Sequence, residues 1–230
     1  GVTVSTRDSD AASLLRDADL ALYRAKDGGR GRAVLFDQSM RDQVAETVRL
    51  ERQLRHALDS GGLSLAYQPV FRGDDGRLAG FETLVRWEGP GFEVEPKVFV
   101  SLAEDTGLVG VMGDWVLASA ASFLSELHDA GFADLSLAVN VSALQLNDPT
   151  PPERVGEVVS QLRAPARSLI LEITETALLA EPELARHRIR ELRSLGVRVS
   201  LDDFGTGYSS LSALRGFPLD AIKIDRSFVG

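Results

Sequence analysis

Cysteine is absent from this 230-residue sequence, and no apolar run approaches the roughly 18 residues of a membrane span. Without cysteine the chain forms neither disulfides nor thiolate metal sites, and a reducing compartment suits it. No signal peptide is visible, so we expect a cytoplasmic segment without membrane contact, whether or not a longer protein is anchored upstream. Histidine is also scarce, and we expect none of the three to bind a metal because all fall on separate predicted helices: His56, His128 and His187.

Basic residues are fewer than acidic ones, since the sequence has 25 against 34 and therefore a net charge of −9. This balance argues against nucleic-acid polymers and anionic membranes as partners. A small anionic ligand stays open, since a bound divalent cation reverses the charge locally. With 44% hydrophobic and 26% charged residues, the sequence is typical of a folded globular chain, with one large domain or one and a partial second.

Three segments follow one another along the chain. Residues 1–36 contain two short predicted strands around a helix capped by Asp10, and they are too few to bury a core alone. Residues 37–60 form a linking amphipathic helix, predicted over 41–58, and residues 61–230 form a further domain. Because the chain begins with Gly1 rather than methionine, we expect it to be a piece of a longer protein.

After residue 61, short apolar strands alternate with helices, which is typical of an α/β domain with a parallel sheet. Turn-forming residues between the first two strands predict an antiparallel hairpin. The predicted strands are 63–68, 79–86, 136–140, 169–173, 197–202 and 221–224. The predicted helices are 96–106, 112–130, 151–163, 182–195 and 209–215.

Polar side chains stand at the ends of these strands, where a packed core does not favour them. They are Asn140, Glu172, Asp202 and Asp225, with Glu82 inside the second strand. In a (β/α) barrel the active site lies at the carboxyl ends of the strands, and converging oxygen atoms suit Mg²⁺ or Mn²⁺ better than zinc. Each residue alone is more often a helix cap or turn former, but five on successive strands favour one shared site.

Lys223 lies two residues before Asp225, so both side chains leave the same face of a strand. Inside a barrel a lysine is costly unless carboxylates pair with it. So paired, it can orient or help deprotonate a water; the alternative is a surface lysine on an edge strand.

The segment from Asp202 to Ser210 is the densest polar motif of the sequence. Its adjacent carboxylates, Asp202 and Asp203, can flank one metal or bridge two, and its glycines permit a tight loop before a helix capped by Ser209. A phosphate-binding P-loop is the weaker interpretation, because the motif lacks the Gly-Lys-Ser ending.

Six short segments, in this order and spacing, make residues 41–230 resemble an EAL domain, the family of cyclic di-GMP phosphodiesterases. They are YQPV at 67–70, ETLVRW at 82–87, NVS at 140–142, LEITE at 171–175, DDFGTGYSS at 202–210 and KID at 223–225. The first 36 residues are similar to the end of a GGDEF domain, through ADLALYRAK at 18–26 and GR at 29–30. The whole chain thus resembles a piece of a GGDEF–EAL protein.

The resemblance implies an α/β fold of the TIM-like (β/α) barrel type, with an antiparallel first hairpin and an end after about the sixth strand. It implies two ions, Mg²⁺ or Mn²⁺. The implied metal ligands are Glu82, Asn140, Glu172, Asp202 and Asp203, the last two serving the second ion.

The other matched residues are implied to act on the substrate or on the loop after Asp203. Lys223 is similar to the lysine that holds the attacking water, Asp225 to its acidic neighbour, and Glu175 to the glutamate that anchors this loop. The implied substrate contacts are Gln68, Leu84 and Arg86, with Arg86 meeting a phosphate. The implied reaction is hydrolysis of cyclic di-GMP to linear pGpG, in a domain that forms homodimers.

The sequence departs from the family pattern in two respects. Thr83 stands where the family name has alanine, and we expect it to be tolerated because it points away from the face of Glu82. The EAL-like part is also shorter than the roughly 250 residues of a typical barrel, and it does not reach the family's Glu-Gly-Val-Glu segment with its catalytic glutamate. A degenerate domain that senses cyclic di-GMP, or an interaction module without hydrolysis, is therefore the alternative to an enzyme.

Overall fold

The computed structural model describes residues 1–5, 10–89, 92–148, 150–205 and 214–228. Within these ranges the chain forms two compact units, Gly1–Leu54 and Arg55–Gly230. The larger unit carries all of the residues that the sequence marks as a candidate site. Among the described helices, none is both long and apolar enough to cross a bilayer.

The smaller unit contains helix α1 (Ala11–Asp27) and the first part of helix α2 (Gln38–Ser60). The predicted cap of α1 is confirmed, because the Asp10 carboxylate accepts a hydrogen bond from the Ser13 amide at 2.6 Å. The Arg41 guanidinium joins the two helices through two hydrogen bonds of 2.8 Å to the Asp17 carboxylate. The prediction of strands at 2–4 and 33–36 is wrong, since the described residues pair there only through one parallel bridge, Val2 with Leu35.

A sheet of seven strands forms the centre of the larger unit. The strands are β1 (Leu63–Phe71), β2 (Leu78–Gly89), β3 (Phe92–Val94), β4 (Ser136–Val141), β5 (Leu169–Thr174), β6 (Arg198–Phe204) and β7 (Ala221–Ile224). Their order is β1-β2-β4-β5-β6-β7, with β3 paired to β2. The β1–β2 hairpin is antiparallel as predicted, and the pairs from β2–β4 to β6–β7 are parallel.

Helices connect the parallel strands, as an α/β fold requires. They are α3 (Pro96–Asp105), α4 (Val109–Asp129), α5 (Ala143–Asn147), α6 (Pro151–Gln161), α7 (Glu175–Ala180) and α8 (Pro182–Ser194), with short 3₁₀ helices at Ala166–Ser168 and Arg226–Phe228. The predicted helix at 209–215, with its Ser209 cap, falls mainly on residues 206–213, outside the described residues. The sixth predicted strand is β7, because the short β3 was not predicted. Within the described ranges, β1 and β7 are the edges of the sheet.

Close packing of the strands brings their carboxyl ends into line. Gly80 of β2 pairs with Ser136 of β4, and a Cβ on Gly80 would lie only 2.0 Å from the Ser136 carbonyl oxygen. Only glycine therefore allows the two backbones to approach this closely. On β5, Leu171 and Ile173 are buried on one face while Glu172 between them is buried on the other, so a carboxylate belongs to the inner face of the sheet.

Candidate metal and catalytic site

Three carboxylates meet at the carboxyl end of the parallel sheet. Glu82 of β2, Glu172 of β5 and Asp202 of β6 each place an oxygen atom within 4.8 Å of the other two. Glu172 is 4% exposed, and its two companions are half-buried. Carboxylate oxygens at such spacing are the ligands that a hard divalent cation prefers. The donor set therefore fits an ion of the magnesium or manganese class.

The Lys223 ammonium of β7 lies among these carboxylates. Its Nζ is 2.8 Å from an oxygen of Glu82, 2.8 Å from one of Glu172, and 3.2 Å from one of Asp202. The structure thus places Lys223 on the inner face of β7 with carboxylate partners, although β7 is an edge strand within the described ranges. Three carboxyl groups share one ammonium, so a further cation would be drawn to the cluster.

Burial and pairing shift the two central groups of this cluster. Burial raises the pKa of Glu172 to about 7, and the hydrogen bond from Lys223 offsets only part of this effect. Burial alone would lower the pKa of Lys223, but its hydrogen bonds to Glu172 and Glu82 outweigh this and raise the pKa above its ordinary value. Lys223 is therefore protonated at neutral pH, and burial favours the neutral form of Glu172.

Asn140 lies at the end of β4, next to the carboxylates. Its Nδ2 donates a hydrogen bond to Glu82 Oε1 at 3.1 Å, and the register of β4 and β5 places it opposite Glu172. The amide also has an oxygen acceptor, which a half-turn about the side chain exchanges with the nitrogen. Asn140 can therefore join the ligand set without any movement of its strand.

Asp203 and Asp225 stand beside the three-carboxylate group, and neither is part of it among the described residues. Asp203 has a backbone φ of +54°, in the left-handed region, and an exposed side chain. Partial burial, together with repulsion from Asp202 and Asp225, raises the pKa of Asp203. Asp225 accepts a hydrogen bond from the Ser227 amide at 2.9 Å, and its side-chain and backbone hydrogen bonds from Ser227 lower its pKa.

Glu175 is buried at the start of α7, with 2% of its surface exposed. The helix begins there because the Thr174 side chain caps it, accepting a hydrogen bond from the Ala177 amide. Glu175 Oε2 in turn accepts a hydrogen bond from the Gly205 amide at 3.1 Å. The carboxylate thus binds the backbone directly after β6, where the loop following Asp203 begins.

The three implied substrate contacts lie on the β1–β2 hairpin. Gln68 is exposed and pairs with Glu82 across the hairpin, whereas Leu84 and Arg86 follow Glu82 along the same face of β2. The Arg86 Nη1 donates to the Val85 carbonyl at 3.0 Å, and its Nε lies 4.0 Å from a carboxylate oxygen of Glu93. The structure therefore groups Gln68 and Leu84 around Glu82, while Arg86 is turned towards β3.

Sequence reasoning missed Glu93, because β3 was not predicted. The signal that could have revealed it is the Gly-Pro-Gly run at 89–91, which separates two extended apolar segments and is typical of a hairpin turn. The strand pairing places Glu93 directly opposite Glu88 and beside Arg86. An acidic side chain therefore neighbours Arg86, the residue of the EAL-like segment that the resemblance implies as a phosphate contact.

The three-carboxylate group contains no histidine among the residues that the structure describes. His128 Nε2 is 3.0 Å from the Leu135 carbonyl oxygen, and His187 pairs with Glu191 on the surface of α8. Thr83 is confirmed on the opposite face from Glu82, buried with 3% exposure. The presence of threonine here, where the family name has alanine, therefore leaves the carboxylate cluster unaffected.

Comparison with known proteins identifies the family of the chain. A sequence profile described as the EAL domain matches residues 51–230. The chain belongs to the EAL domain family. It is 41% identical over 224 residues to "Cyclic di-GMP phosphodiesterase PdeR" of Escherichia coli (strain K12), covering 96% of this chain and 33% of PdeR. It is 39% identical over 217 residues to "Bifunctional diguanylate cyclase/cyclic di-GMP phosphodiesterase MucR" of Pseudomonas aeruginosa, covering 94% of this chain and 32% of MucR.

Solved EAL structures share the fold as well. The structure "PaMucR Phosphodiesterase, c-di-GMP complex" superposes with a TM-score of 0.75 and 38% sequence identity, over 79% of this chain and 74% of that one. This confirms the predicted α/β fold of the TIM-like barrel family. The chain spans about a third of the length of the two curated relatives, at 33% and 32%.

Proposed function

We propose that this chain is part of a metal-dependent phosphodiesterase that hydrolyses cyclic di-GMP to linear pGpG. The observation that carries the proposal is the convergence of Glu82, Glu172 and Asp202 around Lys223. The names of the EAL relatives support the substrate, because PdeR and MucR are both called cyclic di-GMP phosphodiesterases. The solved MucR complex supports it too, since that EAL protein binds c-di-GMP.

The proposed metal ligands are Glu82, Asn140, Glu172 and Asp202, with Asp202 and Asp203 available to a second ion. We propose Mg²⁺ or Mn²⁺, because every donor in the set is oxygen. Such ions, when bound, polarise the phosphate, lower the pKa of water and stabilise the leaving oxygen. The three carboxylates supply the negative charge that holds such ions, and the bound ions would reverse the local charge towards an anionic substrate.

Lys223 is proposed to orient the attacking water. Its hydrogen bonds to Glu82 and Glu172 fix Nζ at the edge of the carboxylate cluster. The third N–H, which Asp202 approaches to 3.2 Å, would turn to a water or a phosphoryl oxygen once a metal ion engages the Asp202 carboxylate. Because its pKa is raised, Lys223 donates hydrogen bonds and does not remove a proton from water. Of the two roles that the sequence left open, this geometry favours orientation over deprotonation.

Glu175 and Asp225 are proposed to support the loop and strand that border the site. Glu175 would fix the loop after Asp203 through the Gly205 amide. Asp225 would act as the acidic neighbour of Lys223, and its lowered pKa keeps it charged. Gln68, Leu84 and Arg86 would contact the nucleotide from the β1–β2 hairpin, Arg86 through a phosphate.

We further infer that residues 1–36 are the C-terminal remnant of a GGDEF domain, residues 37–60 a linker with the first EAL helix, and residues 61–230 an EAL domain within a longer protein. The bifunctional name of MucR and its greater length support this inference. A cytoplasmic location and a homodimer through the EAL domain belong to the same proposal. Reading the coding sequence on both sides of this segment tests it, because a Glu-Gly-Val-Glu segment should follow Gly230.

Chromatographic detection of pGpG tests the activity. The chain, and a version extended by about 60 residues to full barrel length, are each incubated with cyclic di-GMP and Mg²⁺ or Mn²⁺. Formation of pGpG by the extended protein, and its loss on addition of EDTA, is the expected result. If the folded extended protein binds cyclic di-GMP but leaves it intact, the sensor alternative replaces hydrolysis. If it neither binds nor cleaves, the chain is an interaction module.

A further inference from the structure

A cavity of about 240 Å³ lies behind the sheet, on the opposite face from the carboxylates. Its deep wall consists of buried apolar side chains from β4, β5, α4, α6 and α8. They are Val139, Leu171, Leu117, Val109, Val155 and Leu192. Leu144 of α5 stands at the mouth, with 52% of its surface exposed. The cavity is therefore a mainly hydrocarbon space that opens beside α5.

Two glycines of α4 lie at the cavity, and the Gln145 side chain covers one of them. Gly110 and Gly113, one turn apart, both line the cavity. A Cβ on Gly113 would lie 1.7 Å from Gln145 Nε2, so the Gln145 amide sits directly over the helix backbone. The Gln145 oxygen accepts a hydrogen bond from the Ser142 amide at 3.1 Å. That bond fixes the side chain and leaves its Nε2–H₂ as a donor at the wall.

The charged groups of the rim are balanced against one another. Arg154 Nη1 donates to an Asp114 carboxylate oxygen at 3.0 Å, and the charges of Arg154 and Arg188 both help to lower the pKa of Asp148. Arg188 is itself paired, because it donates to Glu191 at 2.9 Å. Two carboxylates and one guanidinium thus line the opening. A carboxylate or phosphate ligand would meet an arginine that is already paired, together with two like charges. The rim therefore disfavours anions.

We propose that this cavity binds a compact, uncharged and largely hydrocarbon molecule that carries one hydrogen-bond acceptor. An apolar protein cavity of about 150 Å³ accommodates benzene, so this larger space suits a substituted single ring. The acceptor pairs with Gln145 Nε2, and the hydrocarbon body packs against Val139 and Leu171. The site is distinct from the proposed cyclic di-GMP site in both position and polarity.

The cavity shares one strand with the carboxylate cluster. Val139 and Val141 line the cavity, and Asn140 between them lines it too while its amide bonds Glu82. A ligand packed behind β4 therefore contacts the strand that positions Asn140. Binding itself does not depend on the proposed function, because the cavity residues carry none of the implied catalytic roles apart from Asn140.

Fluorine NMR with 4-fluoroacetophenone tests the proposal directly, because this ring carries one carbonyl acceptor. We expect saturable broadening with a midpoint of about 0.1–1 mM and a rise in Tm at saturating probe. The anionic analogue 4-fluorobenzoate should bind at least roughly tenfold more weakly. Absence of saturable binding of 4-fluoroacetophenone would overturn the proposal, and equal affinity for 4-fluorobenzoate would overturn the ligand class.

Variants locate the probe within the fold. Val155→Phe fills the cavity and should abolish the saturable signal. Leu144→Trp blocks the mouth without touching the buried wall, so it tests the same point should Val155→Phe fail to fold. Leu179→Trp is the matched control, because Leu179 is 36% exposed and outside the lining. Unchanged probe binding in Leu144→Trp, or the same loss in Leu179→Trp, would place the probe elsewhere and contradict the proposal.

Discussion

Lys223 Nζ donates a hydrogen bond to Glu172 Oε2 at 2.8 Å, although the two residues are 51 positions apart and lie on strands that are not neighbours. β6 separates β5 from β7, and Asp202 of β6 completes the contact from between them. With Glu82 of β2, the cluster draws on four strands and depends on their register. The site is therefore complete only in the assembled sheet.

Removing one carboxylate from the cluster should abolish hydrolysis. Glu82→Gln and Asp202→Asn each keep the side-chain shape but remove a negative charge, so metal affinity should fall by at least roughly tenfold. In an active, longer form of the protein, pGpG formation should fall by about 100-fold or more at limiting Mn²⁺. Calorimetric titration with Mn²⁺ measures the affinity. Glu88→Gln is the control, because Glu88 is exposed on β2, the strand of Glu82, and this variant should behave as wild type. Unchanged turnover in both Glu82→Gln and Asp202→Asn would refute the metal assignment.

Replacing Lys223 should separate catalysis from metal binding. Lys223→Met keeps the length of the side chain but removes the ammonium that competes with a cation for the same oxygens. We expect the rate to fall by about 10²–10⁴-fold, while Mn²⁺ affinity stays equal or increases. A collapse of Mn²⁺ affinity would instead show that Lys223 holds the carboxylates in place structurally.

The sequence was informative about the cluster because its carboxylates and lysine lie on successive strands of the parallel sheet. Period-two alternation predicts which face Glu172 and Lys223 occupy, and parallel pairing then brings the carboxyl ends together. The position of Asp225 could not be predicted in this way, because a hydrogen bond from the Ser227 amide directs its side chain after β7 has ended. Local turn geometry, which apolar periodicity does not encode, decides such positions.

Two further features of the structure could not be predicted from apolar periodicity: the short helices and the exposure of some apolar side chains. The helices α5 and α7 contain five and six residues, too few for a helical period to be recognised. Leu15 and Leu22 fit the apolar stripe of α1 and are nevertheless exposed, because periodicity predicts a face but not what covers it. The fold class needs only the order of long elements, which is why it was predicted correctly.

The burial of Glu172 should make stability depend on pH in the metal-free protein. Its pKa is raised from the usual 4.5 to about 7, so the folded state holds a proton that the unfolded state has released. The Glu172 contribution is thus most favourable below about pH 4.5 and is lost as pH rises towards about 7. The difference in unfolding free energy between wild type and Glu172→Gln, followed by urea denaturation in EDTA, should fall over this window by on the order of 1–3 kcal/mol. A difference that is flat, or that grows with pH, would contradict the shift.

Glu93 should weaken the binding of a substrate phosphate by Arg86. Its carboxylate lies 4.0 Å from Arg86 Nε, so it competes with a phosphate for the guanidinium. Glu93→Gln should therefore lower KM for cyclic di-GMP by about two- to fivefold, since exposed ion pairs contribute up to about 1 kcal/mol, and kcat should stay unchanged. Glu88→Gln removes the same charge from the residue directly opposite and should leave KM as it is. Equal effects of the two substitutions would indicate general electrostatics and not a contact with Arg86.

The buried hydroxyl of Thr83 should lower the stability of the fold, and one substitution should remove this cost. Thr83 Oγ1 is buried and has no hydrogen-bond partner among the residues that the structure describes. Thr83→Val keeps the shape and exchanges an unsatisfied polar group for a methyl, so it should stabilise the protein by about 1–2 kcal/mol. Ser125→Ala is the matched opposite, because the Ser125 hydroxyl is also buried but donates to the Ala121 carbonyl and accepts from the Arg163 amide. In urea denaturation, Ser125→Ala should lower the free energy of unfolding by about 1–2 kcal/mol. If Thr83→Val also lowered it, the Thr83 hydroxyl would have a hydrogen-bond partner in solution.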